Sequence, residues 1–140
     1  MIYVIDDGAD YRFLVQQVFT MFLPQYPVRF FADGADLVQA LDSLAKEVRP
    51  EVMVLDVDMP RLDGFQTLVK LKMHPYWQSV PVVMMTNRTD HDYELESYRL
   101  GASTIVAKPM DLMEIKAVMT QLCEHTGDFT LLPGLNQPAV

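Results

Sequence analysis

A lone cysteine is the first constraint. Cys123 excludes an internal disulfide and any thiolate metal site, and nothing in the chain argues for an oxidising compartment. Histidine is nearly as scarce: His74, His91 and His125 stand apart without ligand spacing and read as surface residues. Positive charge is also short. Eleven Lys and Arg against 19 Asp and Glu leave a net charge of −8, and the basic residues form no cluster, which argues against nucleic acid as a direct partner. Long apolar runs are missing. The longest uncharged stretch, 13–28, is interrupted by Gln16, Gln17, Pro24, Gln25 and Pro27 and is too broken to span a bilayer. The start does not read as a signal peptide, because Asp6 and Asp7 cut its apolar run and no basic region precedes it. Repeats, low-complexity tracts and internal linkers are absent too. These absences predict a soluble, cytoplasmic protein with no membrane partner.

What is present alternates. With 140 residues, half of them hydrophobic, the chain fits one domain able to bury roughly 68% of its unfolded surface. Short apolar runs at 2–5, 28–31, 52–55, 81–85 and 104–107 have the look of strands buried on both faces. Helical spacing fills the intervals. Asp10 is the expected cap of a first helix with Phe13, Leu14, Val18 and Phe22 inward, and Pro24 and Pro27 end it. Leu37, Leu41 and Leu44 mark the second helix, and Phe65, Leu68 and Leu71 the third, closed by His74-Pro75. Thr89-x-x-Asp92 resembles a capping box and opens the fourth, which contains Leu95 and Tyr98 and stops at Gly101. Leu112, Ile115, Met119 and Leu122 line the fifth. Tyr76 and Trp77 sit on a connector as exposed aromatics, packed under the loop or forming a contact surface. Five strand–helix units imply a parallel α/β sheet covered on both sides. The domain is expected over 1–126. Residues 127–140, with Pro133, Gly134 and Pro138, read as a flexible tail, the alternative being surface docking through Phe129, Leu131 and Leu132.

The chemistry gathers at the strand ends. The first strand ends in Asp6 and Asp7, the third in Asp56, the fourth in Thr86 and the fifth in Lys108. In a parallel sheet these ends share one edge, where ligands of such folds bind. Carboxylates converging there repel one another unless a cation joins them, and a few hard oxygen ligands suit Mg²⁺. A lysine and a hydroxyl beside them complete a site for a phosphoryl group, with Asp56 as a carboxylate nucleophile that forms an aspartyl phosphate. Each part alone is weak, since an Asp pair often caps a helix and Lys-Pro is an ordinary loop. All of them in order at successive strand ends is a much stronger signal.

Val4-Ile5-Asp6-Asp7, Leu55-Asp56-Val57-Asp58-Met59-Pro60, Asp63-Gly64, Thr86, Gly101-Ala102 and Lys108-Pro109 together resemble the receiver domain of two-component response regulators, of the single-domain, chemotaxis-regulator-like kind. The resemblance covers residues 1 to about 125. It implies a doubly wound, flavodoxin-like sheet in the order 2-1-3-4-5 flanked by five helices. It also implies a phosphorylation-controlled switch that is no enzyme beyond its own phosphorylation and dephosphorylation. Asp56 would accept the phosphoryl group from a sensor histidine kinase or a phosphotransfer protein. Asp7 and Asp56 would ligate Mg²⁺ (or Mn²⁺) directly, the backbone carbonyl of Asp58 would add a ligand, and Asp6 would act through metal-bound water. Lys108 and Thr86 would bind phosphoryl oxygens, helped by backbone N–H groups of Val57 and Asn87. Output would pass to a downstream target protein. The face of the fourth helix, fifth strand and fifth helix is the one such domains remodel, and a candidate homodimer surface.

Ile105 departs from the pattern, standing where such domains usually carry Tyr or Phe; it is either the moving readout or plain core. The resemblance implies that Asp58 and Arg88 occupy positions that such domains use to tune phosphoryl lifetime, and an ion pair between them is expected. Two other functions compete. A haloacid-dehalogenase-like phosphatase shares Asp56-x-Asp58, but Pro60 replaces its Thr or Val and its metal-binding acids come late. A phosphate-independent binding module would keep the fold and lose site residues, yet none of the five is missing. A flavin binder is disfavoured by the acidic loop 6–10.

Overall fold

The central strands of this protein bury both faces, the edge strand at 28–31 leaves Arg29 exposed, and the alternation of side chains builds two apolar layers in place of one. The computed structural model describes residues 1–87, 91–124 and 129. In chain order the elements are β1 (Ile2–Ile5), α1 (Ala9–Phe22), β2 (Val28–Phe31), α2 (Gly34–Leu44), β3 (Val52–Asp56), α3 (Gly64–Met73), β4 (Val82–Thr86), α4 (His91–Arg99), β5 (Thr104–Ala107) and α5 (Leu112–Glu124). The strands form one parallel sheet in the order β2-β1-β3-β4-β5, as the resemblance implied.

One layer takes Ile2, Val4, Val52, Val54, Val83, Met85 and Val106 from the sheet and packs them against α1 and α5. The other takes Tyr3, Ile5, Met53, Leu55, Met84 and Ile105 and packs them against α2 and α3. Period-two alternation across a two-sided sheet accounts for both. α4 is the poorly anchored element, since Ser97 is its one buried residue.

Several expectations shift. β3 includes Asp56 and β4 runs from Val82 through Thr86, so both polar groups end strands that are fully buried along their length. α1 begins at Ala9 after Gly8, which makes no side-chain cap; Asp10 lies inside the first turn, where an acid favours the helix dipole without capping it. The buried face of α1 is Tyr11, Val15, Val18 and Phe19, and Phe13 is 62% exposed. Those four residues follow i, i+4, i+7, i+8 spacing, one phase away from the face built on Phe13 and Leu14. Trp77 is not exposed: its relative exposure is 0%, its indole N–H donates to the Leu41 carbonyl at 3.1 Å, and its ring lies 6.1 Å from Tyr3. An aromatic with a polar handle is well suited to such a seat because its single donor finds a carbonyl there. His74 likewise has a partner, its Nε2 lying 3.1 Å from Asp42.

α3 starts on a full capping box. Asp63 accepts from the Gln66 N–H, and the Gln66 side chain accepts from the Asp63 N–H. Gly101 ends the α4 turn with φ +104, the left-handed region that favours glycine, and sits against the stem of Lys72. The Lys72 ammonium donates to the carbonyls of Gln78 and Val80 at 3.0 and 3.1 Å, tying α3 to the following connector, while burial pulls its pKa down. The expected cap at Thr89, the expected partner Arg88 and most of the tail lie outside the described residues. Phe129 is described and packs against the α1–α5 layer.

Candidate functional site

Parallel register brings the strand ends to one edge, and the loops after them are held by close backbone approach. Asp6 is 3% exposed and Asp56 5%, while Asp7 faces solvent. Asp6 is fixed from three sides. Its N–H donates to the Phe31 carbonyl at 3.1 Å, its Oδ1 accepts from the Gly8 N–H at 2.8 Å, and its carbonyl accepts from Arg12 at 2.7 Å. After Asp56, Val57 N–H donates to Met85 O at 2.9 Å and Gly64 N–H returns to Val57 O at 2.8 Å. A Cβ at Gly64 would lie 2.4 Å from the Asp56 carbonyl, so only glycine lets α3 start this close to the acceptor.

One carboxylate oxygen from each of Asp6, Asp7 and Asp56 falls within 4.8 Å of the others. Three hard anionic donors this close fit a divalent cation of the Mg²⁺ or Mn²⁺ type. Lys108 closes the cluster. Its ammonium lies 2.6 Å from Asp6 Oδ2 and 3.5 Å from Asp56 Oδ2, with 10% of its side chain exposed. Its backbone N–H donates to the Thr86 carbonyl at 2.9 Å, locking the turn after β5 to the end of β4. Thr86 is fully buried at that strand end, and Asn87 follows it exposed.

Electrostatics follow from this packing. Burial and the neighbouring Asp6 charge push Asp56 up to about 7, against the opposing pull of Lys108 and the Asp58 N–H. Burial alone would lower the Lys108 ammonium, but its hydrogen bond to Asp6 and the charges of Asp6 and Asp56 outweigh it and leave the group raised. The site is therefore short of positive charge.

The predicted residues Asp6, Asp7, Asp56 and Lys108 meet directly, with Thr86 adjoining through Lys108. The expected role of the Val57 N–H is corrected: that group is committed to the sheet, and the Asp58 N–H is the one facing Asp56 Oδ1, at 3.3 Å. Asp58 itself is exposed at the loop surface. Ile105 is fully buried in the layer facing α2 and α3, so it occupies a core position here. The Asp58–Arg88 pair falls outside the described residues on the Arg88 side.

Two site residues escaped the sequence. Tyr11 places its ring 4.2 Å from the Lys108 ammonium and donates its hydroxyl to the buried Pro109 carbonyl at 2.9 Å. Burial and then the Asp6 and Asp56 charges push this phenol well above its usual range. Arg61, in the loop after Asp56, adopts φ 64 and pairs with Asp33 and Asp36 at the start of α2. Helix phase carried the first signal; no local pattern carried the second. Beside the loop, Val57, Asp58, Met59, Asp63, Phe65 and Tyr93 line an open cleft of about 470 Å³.

Residues 2–120 match the family model of the response regulator receiver domain. The sporulation initiation phosphotransferase F of Bacillus subtilis (strain 168) is 36% identical over 115 residues, covering 82% of this chain and 86% of its own length. The DNA-binding transcriptional regulator NtrC of Escherichia coli (strain K12) is 29% identical over 126 residues, 89% of this chain, which spans only 25% of that larger relative. In structure the chain superposes on the phosphorylated cyanobacterial phytochrome response regulator RcpA with TM-score 0.78 and 23% identity, covering 95% of this chain and 97% of the other.

Proposed function

The chain belongs to the response regulator receiver domain family, the phosphorylation-controlled switches of two-component systems, and on that premise we propose that Asp56 is its phosphoryl acceptor. One observation carries the assignment. A buried carboxylate at the end of β3 lies 3.5 Å from the Lys108 ammonium and shares a 4.8 Å cluster with Asp6 and Asp7. A nucleophile needs charge neutralisation at this point, because the incoming phosphoryl group brings negative oxygens to a site already rich in carboxylates.

Asp6, Asp7 and Asp56, with the Asp58 backbone carbonyl, are the residues that would hold Mg²⁺ or Mn²⁺. Such an ion, when bound, supplies the charge compensation that phosphoryl oxygens require. The protein's own groups do the rest. An Asp56 carboxylate oxygen forms the new bond to phosphorus while the bond from phosphorus to the donor breaks, and the donor atom keeps the electron pair. With a phosphohistidine donor, that leaving atom is an imidazole nitrogen. Lys108, already turned toward Asp56, binds a phosphoryl oxygen; Thr86 donates its hydroxyl from the end of β4; the Asp58 N–H points at the reacting carboxylate. The exposed Asn87 N–H is a further donor on the same side.

Receiver domains act with histidine kinases or phosphotransfer proteins as signalling switches rather than classical enzymes. We assign this chain a kinase or phosphotransfer donor and a target protein as output, in a cytoplasmic setting where ATP charges such donors. Leu95 and Tyr98 of α4 and Met113 of α5 are 55%, 45% and 62% exposed, which supports output contacts or homodimerisation on that face. The receiver unit is assigned to 1–126, with 127–140 as an appended tail. Among the described residues no helix is long and apolar enough to cross a membrane.

Incubation with Mg²⁺ and acetyl phosphate, followed by intact mass measurement, tests the assignment. One added phosphoryl group is expected on the wild type and none on Asp56→Asn. An unmodified wild type, or an undiminished adduct on Asp56→Asn, overturns it.

A further inference from the structure

We propose that Tyr11 is a positioning residue that holds Lys108 where it serves the acceptor carboxylate. The inference rests on Asp56 being that acceptor and names a residue through which the same site is tuned.

α1 begins beside the site, and Tyr11 is the first residue of its buried face. Its ring does not simply fill core. The Lys108 ammonium sits 4.2 Å from the ring centroid, within the distance at which an aromatic face attracts a cation. The hydroxyl at the far end of the same ring donates to Pro109 O at 2.9 Å, a buried bond across 98 residues of chain. One side chain thus grips the lysine by its charge and the next residue by its backbone.

The Lys108 backbone is pinned on the other side, where its N–H donates to Thr86 O at 2.9 Å. What remains loose is the four-carbon stem, which carries large rotamer freedom. Two carboxylates compete for its ammonium, Asp6 at 2.6 Å and Asp56 at 3.5 Å. Asp6 holds the shorter contact, so left to charge alone the lysine favours the wrong partner. The ring supplies an attraction that does not change when either carboxylate changes state. The ring also adds to the packing that leaves the Lys108 side chain only 10% exposed, and low exposure strengthens its remaining contacts. Leucine or methionine at position 11 would fill space but provide neither the quadrupole nor the bond to Pro109.

The test measures phosphoryl uptake from acetyl phosphate, with Mg²⁺ affinity determined independently by calorimetry on the same proteins. Tyr11→Leu is expected to slow uptake about tenfold, the scale of a partly desolvated cation–aromatic contact. Its Mg²⁺ affinity is expected to stay within about twofold of wild type, since the lysine is not an ion ligand. Tyr11→Phe keeps the ring and is expected to recover most of the rate. Should Tyr11→Leu not fold, Tyr11→Met, with an unbranched side chain that adapts to the same space, replaces it with the same expectation. Unchanged uptake in the ringless variant overturns the proposal; so does a parallel loss of Mg²⁺ affinity, or a Phe variant as slow as Leu. A wild type that takes no phosphoryl group fails at the earlier assignment, and is distinguished by that.

Discussion

Replacing the acceptor by its neutral isostere, Asp56→Asn, is expected to stabilise the metal-free protein at pH 8 and much less at pH 5. The magnitude comes from the site. Burial and Asp6 raise the Asp56 carboxyl from an ordinary 3.8 to about 7, so the folded state resists ionisation that the unfolded chain permits. At about 1.36 kcal/mol for each tenfold change in proton affinity, the full rise amounts to roughly 4 kcal/mol. The carboxyl is not wholly shielded and the Lys108 ammonium sits near it, so screening reduces this to about 2 kcal/mol. The sign follows from the folded value lying above the unfolded one. Well below pH 3.8 both states are protonated and no penalty exists; it accumulates as pH rises past 3.8 and is complete above about pH 7. At pH 5 about a third has developed, or about 0.7 kcal/mol. Asparagine avoids the penalty while retaining shape, and Lys108 keeps its 2.6 Å contact with Asp6. Urea denaturation of both proteins in chelator, at pH 8 and pH 5, measures the difference. Equal stability at pH 8, or a gain of the same size at both pH values, would refute the burial argument.

Three further outcomes are expected. Gly64→Ala forces a methyl to within 2.4 Å of the Asp56 carbonyl, and should cost about 2 kcal/mol or more by urea denaturation and weaken Mg²⁺ binding by calorimetry; a neutral result would mean the loop relaxes freely. Trp77→Ala empties a fully buried seat and loses the bond to Leu41 O, so thermal unfolding should report a loss of about 3–5 kcal/mol, with Trp77→Phe costing less. Arg61→Ala and Arg61→Gly both lose the contacts to Asp33 and Asp36, but only glycine is at ease at φ 64. The glycine variant should therefore be about 0.5–1 kcal/mol the more stable of the two; identical denaturation midpoints would show that the backbone at 61 carries no strain.

The fold and the centre of the site were legible because both rest on short-range regularities. Val52–Leu55 is apolar without interruption and its counterparts at 2–5 and 82–85 are too, which two-sided burial explains, and the polar residues ending the first, third, fourth and fifth runs had to meet along one sheet edge. The misreadings share a different cause. Tyr11 was overlooked because several apolar residues of α1 allow two helical phases, and contact with α5 and the β5 turn chooses between them. Trp77 lies on a connector with no period, so its burial against Tyr3 and Leu41 depended on where α2 and β1 stand. Val57 N–H could be assigned to the phosphoryl group only while its bond to Met85 O was unseen. Arg61 and Asp33 are 28 residues apart and joined by loop geometry that no local pattern encodes. Ile105 is open between readout and core on the page of letters; in three dimensions its side chain is fully buried.

α4 buries only Ser97 outright, whose hydroxyl turns back to Tyr93 O at 2.8 Å within the helix itself, and otherwise leans on half-exposed rings: Tyr93 5.4 Å from Phe65 and the Tyr98 hydroxyl 3.3 Å from Thr104. α5, by contrast, buries Ile115, Val118, Met119, Leu122 and Cys123. The domain is thus mechanically uneven: stiff along the α1–α5 layer, compliant along α4. Amide protons of α4 should exchange with solvent through openings far cheaper than global unfolding, while those of α1 wait for the whole domain to open. Any chemical event at the strand ends has only a few kcal/mol to distribute, too little to repack a dense layer and ample for a helix held this lightly. The location of the message is set by which neighbour gives way first.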